Sequence, residues 1–288
     1  MPDTISTLRA GQELAGTYAC TRKDRLVART GTPYLAVELR DKTGVLPGRV
    51  FRDADVWAGR FERGDLVRVA GRVDLFRDAL QAELTEIARA PEGTADPSEF
   101  LPVAYRDIEE LDGFLEHLAR EVHDRPFASL LERLLGDDAL RAEWRRAPCT
   151  RDGHHAYLGG LLEHTVAVAQ LALEACQLHV RLNSDLLITA ALVHDLGKTR
   201  EFTYGAEIAV SDEGRMLGHV ELGLELLRAR SGGVLDRERF LALSHCVLIH
   251  HGPDRAPTRR FASAEALALY RLNTLDASVK HALEHGLG

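Results

Sequence analysis

Cysteine is scarce and scattered. The four thiols, Cys20, Cys149, Cys176 and Cys246, lie far apart with no CxxC pair, so neither a disulfide framework nor a zinc-thiolate site is indicated. No apolar run reaches the ~18 residues of a membrane span. The start, Met1-Pro2-Asp3-Thr4, lacks a basic stretch followed by an apolar one. A cytoplasmic protein with no membrane contact is expected. Basic residues are not in excess either: 36 Lys and Arg stand against 44 Asp and Glu, a formal charge of −8. This argues against indiscriminate coating of nucleic acid, although the balance is uneven. Up to residue 90 there are 15 basic against 13 acidic side chains, and beyond it 21 against 31. A slightly basic head precedes an acidic body. What the chain does have is enough apolar residues (45%) and charged residues (28%) to exclude wholesale disorder. Its 288 residues suit about two domains.

Residues 14–90 read as short strands. Thr17–Cys20 and Tyr34–Leu39 mix β-branched, aromatic and polar residues, Val45–Phe51 follows Gly44, and Asp65–Arg72 and Leu80–Thr85 alternate at period two. A short helix near Asp53–Gly59 fits between the third and fourth strands. Five strands with a helix after the third is the order of an OB-fold barrel. The stretch Ala90–Pro97 is rich in Pro, Gly and small residues and reads as a linker. From Arg106 onward helical spacing takes over, as in Leu111, Phe114, Leu115, Leu118 and Val122. Further helices are expected at 158–179, 184–195, 219–229, 236–250 and 263–285, with Asn183 and Ser263 as N-caps. Phe202–Arg215, with strand-like pieces around Gly205 and Gly214, reads as an inserted hairpin. The expected organisation is an all-β barrel over 1–92, a linker over 93–105 and an all-α bundle over 106–288.

Histidine is the informative residue type: nine of the 13 fall between His154 and His251. His194-Asp195 ends an apolar helix, where imidazole and carboxylate from adjacent residues can reach one cation. Alone, that dipeptide is more simply a helix C-terminus, which welcomes His and ends at Gly197. Partners shift the balance. His164 lies on an apolar helix, His219 opens one, His250-His251 closes one before Gly252-Pro253, and Asp276 sits mid-helix on an apolar face where a bare carboxylate is costly. Several helices each aiming His or Asp from an apolar stripe are better explained by a shared metal site.

The order His164, His194-Asp195, Asp276 resembles the HD-domain metal-dependent phosphohydrolases, helical bundles whose core holds one or two divalent metals. The strings His154-His155-Ala156-Tyr157-Leu158-Gly159-Gly160-Leu161-Leu162-Glu163-His164-Thr165, His194-Asp195-Leu196-Gly197-Lys198 and Asp212-Glu213-Gly214-Arg215-Met216-Leu217-Gly218-His219 resemble the YhaM family of 3′→5′ exoribonucleases. So do His250-His251-Gly252 and Leu275-Asp276-Ala277, and that family also carries an N-terminal OB-fold. The resemblance implies that His164, His194, Asp195 and Asp276 hold one metal, and that His219 and His250 hold a second with Asp195 bridging and His251 beside them. Two divalent ions are implied, manganese first, with iron, cobalt, nickel or zinc as alternatives for a mixed His and Asp set. Two such cations can polarise a phosphoryl oxygen and activate water near neutral pH. Asp195 and Lys198 are the catalytic candidates. Lys198, one turn on, is placed to neutralise charge on the phosphate; the plainer reading is a solvated partner of the helix dipole. Arg215 and His155 are candidate phosphate or sugar contacts, against a hairpin surface charge and a capping residue.

In the barrel, Arg22, Lys23, Arg25, Tyr34, Arg72, Phe76 and Arg77 offer basic and aromatic groups for a single strand, although Phe51 or Phe76 could equally be core and a solvated surface is the commoner role of any one basic residue. The implied activity is a metal-dependent 3′→5′ exonuclease acting on single-stranded RNA, with the preference between RNA and DNA left open. The alternatives are a phosphohydrolase or cyclic-dinucleotide phosphodiesterase, and an inactive nucleic-acid-binding regulator. The first lacks a Gly-Tyr-Pro after His250-His251-Gly252, and the second is at odds with the intact ligand set. A homo-oligomer is compatible with the sequence, which does not fix the oligomeric state.

Overall fold

The computed structural model describes residues 4–91 and 93–286. Alternation of buried and exposed positions folds the first part of the chain into one closed wall. Its strands are β1 (Glu13–Val27), β2 (Pro33–Asp41), β3 (Gly44–Val50), β4 (Leu66–Phe76) and β5 (Ala79–Arg89). Along β4, Val67, Val69 and Val73 point inward while Arg68 and Arg72 face out. Each such fully buried side chain contributes roughly 1.5–3 kcal/mol. The strand order is β1-β2-β3-β5-β4, with β4 returning to pair antiparallel with β1. β3 and β5 pair in parallel through Gly48 with Ala82 and Arg49 with Glu83. The helix α1 (Ala54–Ala58) lies between β3 and β4. This is the five-stranded OB-fold barrel.

The expected boundary at residue 92 lies outside the described residues. The expected linker 93–105 is built differently: Pro97–Glu99 forms a 3₁₀ turn capped by Asp96, and Phe100 and Leu101 are buried. Phe100 packs on Ala19, and Lys42 N–H donates to the Glu99 carbonyl at 2.9 Å. These apolar anchors tie the segment to the barrel, whose compact unit runs to Pro102 and takes in Tyr204–Ile208.

The second unit is helical. It comprises α2 (Ile108–Arg120), α3 (Arg125–Leu135), α4 (Asp138–Arg146), α5 (Gly160–Leu178), α6 (Ser184–Val193), the short α7 (Lys198–Glu201), α8 (Asp212–Ser231), α9 (Arg237–Ile249) and α10 (Ala264–His285). Every residue of α6 from Leu186 to Val193 is buried. A helix apolar on all sides belongs at the centre, and α2, α3, α5, α9 and α10 all pack on it. Asn183 caps it by accepting the Leu186 N–H at 3.0 Å; Ser263 caps α10 by accepting from Ala266. The hairpin is shorter than expected. Its strands are β6 (Phe202–Tyr204) and β7 (Ile208–Val210), and Gly214 is helical because the Ser211 hydroxyl accepts its N–H and starts α8. α8 breaks at Gly218 (φ 71°, ψ 160°) and restarts at His219. Among the described residues no helix is long and apolar enough to cross a membrane.

Candidate metal centre

The imidazoles are delivered by helix ends and one buried face. His164 projects from α5 with no exposed surface, His194 and His250 cap the C-termini of α6 and α9, and His219 opens the second part of α8. Close backbone approach brings α7 and α8 together. A Cβ on Gly197 would stand 1.9 Å from the His219 carbonyl oxygen and 2.4 Å from the Gly223 nitrogen. Only glycine permits that spacing, which explains the residue two places after Asp195.

Hydrogen bonding fixes which ring nitrogen faces the centre. A carbonyl or carboxylate oxygen only accepts, so Nδ1–H of His194 donates to the Ala191 carbonyl (2.8 Å) and Nδ1–H of His250 to that of Val247 (2.6 Å). Likewise Nδ1–H of His164 donates to Asp276 Oδ2 (2.6 Å) and Nδ1–H of His219 to Glu201 Oε1 (3.2 Å). Four rings are thereby left with Nε2 directed at one carboxylate. His164 and His194 Nε2 each lie 3.4 Å from Asp195 Oδ2 and 3.3 Å from one another. His219 and His250 Nε2 each lie 3.4 Å from Asp195 Oδ1, with His251 Nε2 2.9 Å from that of His219. Asp195 Oδ1 and His250 Nε2 are buried without a hydrogen-bond partner. Lone pairs converging on a buried anion are unfavourable until a cation enters. Oxygen and imidazole donors in this arrangement fit a divalent metal. Two gatherings among the described residues share Asp195: His164, His194 and Asp195, and Asp195, His219, His250 and His251; Cys149, His154 and His164, and His155, His164 and Asp276, form two more.

The electrostatics agree. Burial alone would raise the Asp195 carboxyl, but Lys198 and His194 hold it well below the usual carboxylate range. Burial opposes a proton on His164, yet Asp195 and Asp276 hold its value above the ordinary one. The pocket draws positive charge. Burial and neighbouring positive charge lower His250 to about 4 and His251 to about 2, keeping both rings neutral.

Several side chains stand elsewhere than expected. Asp276 is gathered with His155 and His164 rather than with His194 and Asp195. It accepts from Nδ1 of His164, the ring edge away from Asp195, and so orients that ring. Lys198 does not face an incoming phosphate: its side chain is 6% exposed and its ammonium donates to Asp195 Oδ2 at 2.7 Å and Cys149 Sγ at 3.4 Å. A buried ammonium requires such a counter-charge. Both nitrogens of the buried His155 are engaged, with Tyr157 and Asp276, leaving it no edge for substrate. Arg215 pairs with Asp212 and the Val210 carbonyl on the solvent side of α8. In the barrel, Arg22 pairs with Asp24, and Lys23 donates to the Phe61 carbonyl and Glu62, so it is bound into the barrel wall. Tyr34 forms an open aromatic group with Phe51 (centroids 5.5 Å apart) and Arg49. Arg72 lies exposed beside Asp74, and Arg77 stacks on Phe76 at the β4–β5 turn.

Sequence reasoning missed Glu201 and Cys149. Glu201 accepts both the backbone N–H and Nδ1–H of His219; the signal was an acidic residue closing the helix that begins at Lys198. Cys149 comes within metal-holding distance of His154 and His164, a proximity that the scattered spacing of the thiols did not indicate. Burial pushes its thiol up to about 12.

Residues 161–279 match the HD domain family model. Along nearly its full length the chain is similar to proteins named 3'-5' exoribonuclease YhaM. It is 25% identical over 283 residues to that of Oceanobacillus iheyensis, covering 97% of this chain and 88% of that protein. The figures are 26% over 281 residues for Shouchella clausii (94% and 85%) and 27% over 256 for a Geobacillus strain (88% and 78%). The segment that supplies His164, His194, Asp195, His219, His250, His251 and Asp276 is the one that matches the HD domain model.

Proposed function

We propose that the chain is a metal-dependent 3′→5′ exonuclease that hydrolyses the phosphodiester bonds of single-stranded RNA to nucleoside 5′-monophosphates, with single-stranded DNA as a second substrate. The observation that carries this reading is the Asp195 carboxylate, whose two oxygens face two separate sets of imidazole Nε2 atoms. The likeness to 3'-5' exoribonucleases along both units supports the substrate class. Two divalent ions per chain are proposed, with manganese favoured. His164, His194 and Asp195 Oδ2 would hold one; His219, His250, His251 and Asp195 Oδ1 would hold the other. When bound, such ions supply Lewis acidity toward a phosphoryl oxygen and a water of lowered pKa.

The chain's own groups do the rest. Lys198 keeps Asp195 ionised, and Asp276, Glu201 and two main-chain carbonyls hold the four Nδ1 protons so that Nε2 stays aimed inward. His164, His194 and His250 are fully buried, whereas His154, His219 and His251 are partly exposed, so substrate enters from the latter side. Burial, reinforced by His164 and Lys198, lowers His154 to about 4. It therefore meets the substrate as a neutral ring. The barrel's role is capture of the strand through exposed Arg72, Arg77 and the Tyr34–Phe51 pair.

A 5′-labelled RNA incubated with the protein and Mn²⁺ should shorten one nucleotide at a time from its 3′ end, and chelation should stop it. Internal cuts, or turnover of cyclic dinucleotides with the strand untouched, would overturn the proposal.

A further inference from the structure

The loop between α4 and α5 carries a histidine that belongs to neither cluster around Asp195, although it is gathered with His164 and Asp276. His155 is 1% exposed, and its φ of 50° places it in the left-handed region that non-glycine residues seldom adopt. The loop has no slack, because a Cβ on Gly160 would stand 2.2 Å from the His155 carbonyl oxygen. A conformation of this kind persists only where its surroundings over-determine it.

Those surroundings are hydrogen bonds that lead in one direction. Tyr157 donates its hydroxyl proton to Glu163 Oε2 at 2.6 Å, and its oxygen lies 2.8 Å from His155 Nδ1. On the other edge of the ring, His155 Nε2–H donates to Asp276 Oδ2 at 3.0 Å. That same oxygen accepts the His164 Nδ1–H. Lys280 closes the outer end by donating to Glu163 Oε1 at 3.3 Å, and Glu284 accepts the backbone N–H of His155 at 3.2 Å. The line Lys280–Glu163–Tyr157–His155–Asp276–His164 ends on the Nε2 atom that faces Asp195.

We propose that His155 is a positioning residue for the first cluster: it pins Asp276 Oδ2 against His164 Nδ1, and so fixes the tautomer and tilt that present His164 Nε2 to a cation. The inference rests on the reading of that cluster as a metal site. Asp276 is partly exposed, so without His155 its carboxylate is free to turn toward water and release the His164 ring. Outer partners of this kind change metal affinity by roughly 10–100-fold.

The test is a Mn²⁺ titration followed by electron paramagnetic resonance of the free ion, on wild type, His155→Asn and His155→Gln. Asparagine tolerates the left-handed backbone but is too short to reach Asp276; the glutamine amide reaches it. His155→Asn should weaken one ion by roughly 10–100-fold and the other much less, and His155→Gln should restore most of the loss. Wild type binding no Mn²⁺ would sink the metal reading itself. Wild type binding ions that His155→Asn binds equally well would sink the positioning role alone, as would equal weakening in the Asn and Gln variants. Should circular dichroism show His155→Asn unfolded, Tyr157→Phe replaces it. This change removes the hydroxyl that links His155 Nδ1 to Glu163, and it should weaken the same ion; unchanged affinity would refute the proposal.

Discussion

Asp195→Asn tests the electrostatic centre of the helical unit directly. The Asp195 carboxylate and the Lys198 ammonium are both buried and 2.7 Å apart. Burial would lower Lys198, but Asp195 raises it above its ordinary value. Removing one partner of a buried pair leaves the other charge uncompensated, at about 3–5 kcal/mol. The amide oxygen can still accept from Lys198, which holds the loss toward the lower end. For a unit of this size that is a fall of about 6–20 °C in Tm. Thermal unfolding in chelator at pH 7 isolates this effect from loss of metal. The double variant Asp195→Asn, Lys198→Met should recover most of the stability, because neutralising both partners removes the orphaned charge. Neither variant should hydrolyse RNA. A single variant whose Tm in chelator matches wild type, or a double variant no more stable than the single, would refute the reasoning.

His219→Ala should reduce Mn²⁺ bound per chain from two ions to one in equilibrium dialysis and lose most of the activity; unchanged stoichiometry would contradict the second cluster. Gly197→Ala forces a Cβ into two backbone atoms, so it should cost about 1–3 kcal/mol or more by chemical denaturation and impair binding at His219. Asp124 is held below its ordinary value chiefly by hydrogen bonds from Arg239, with the Phe127 N–H adding to them. Its stabilising contribution is complete above the unfolded carboxyl value of about 4 and is lost as pH falls through the lower folded value. Asp124→Asn, which keeps the α3 cap, should therefore lower Tm at pH 7 but progressively less as pH is taken below about 4.

The barrel was legible because period-two alternation and Gly44 mark its strands, and α6 because its apolar run had nowhere to go but the centre. The clustering of His and Asp was legible as a set, since helices ending in His194-Asp195 and His250-His251 declare themselves by their apolar bodies. What each side chain does there was not. Whether Asp276 meets the near or far edge of the His164 ring depends on the tilt of α10 against α5, which no local pattern encodes. Lys198 looks the same in sequence whether it faces solvent or Asp195. His155 owes its orientation to a left-handed residue in an irregular loop, and such a conformation leaves no periodic trace. The expected linker over 93–105 followed from the Pro, Gly and small residues of Ala90–Pro97, whereas just beyond them Phe100 and Leu101 bury themselves.

Because one carboxylate serves both groups of imidazoles, the two positions are thermodynamically linked. A cation at Oδ2 alters the affinity at Oδ1 by some factor, and a cation at Oδ1 must alter the affinity at Oδ2 by the same factor. Lys198 belongs to this balance, since it already occupies the Oδ2 side. In the proposed two-ion reading, metal uptake is one coupled binding polynomial rather than two independent saturations. In that reading activity follows only the doubly loaded state, and so rises with metal concentration more steeply than the filling of either position.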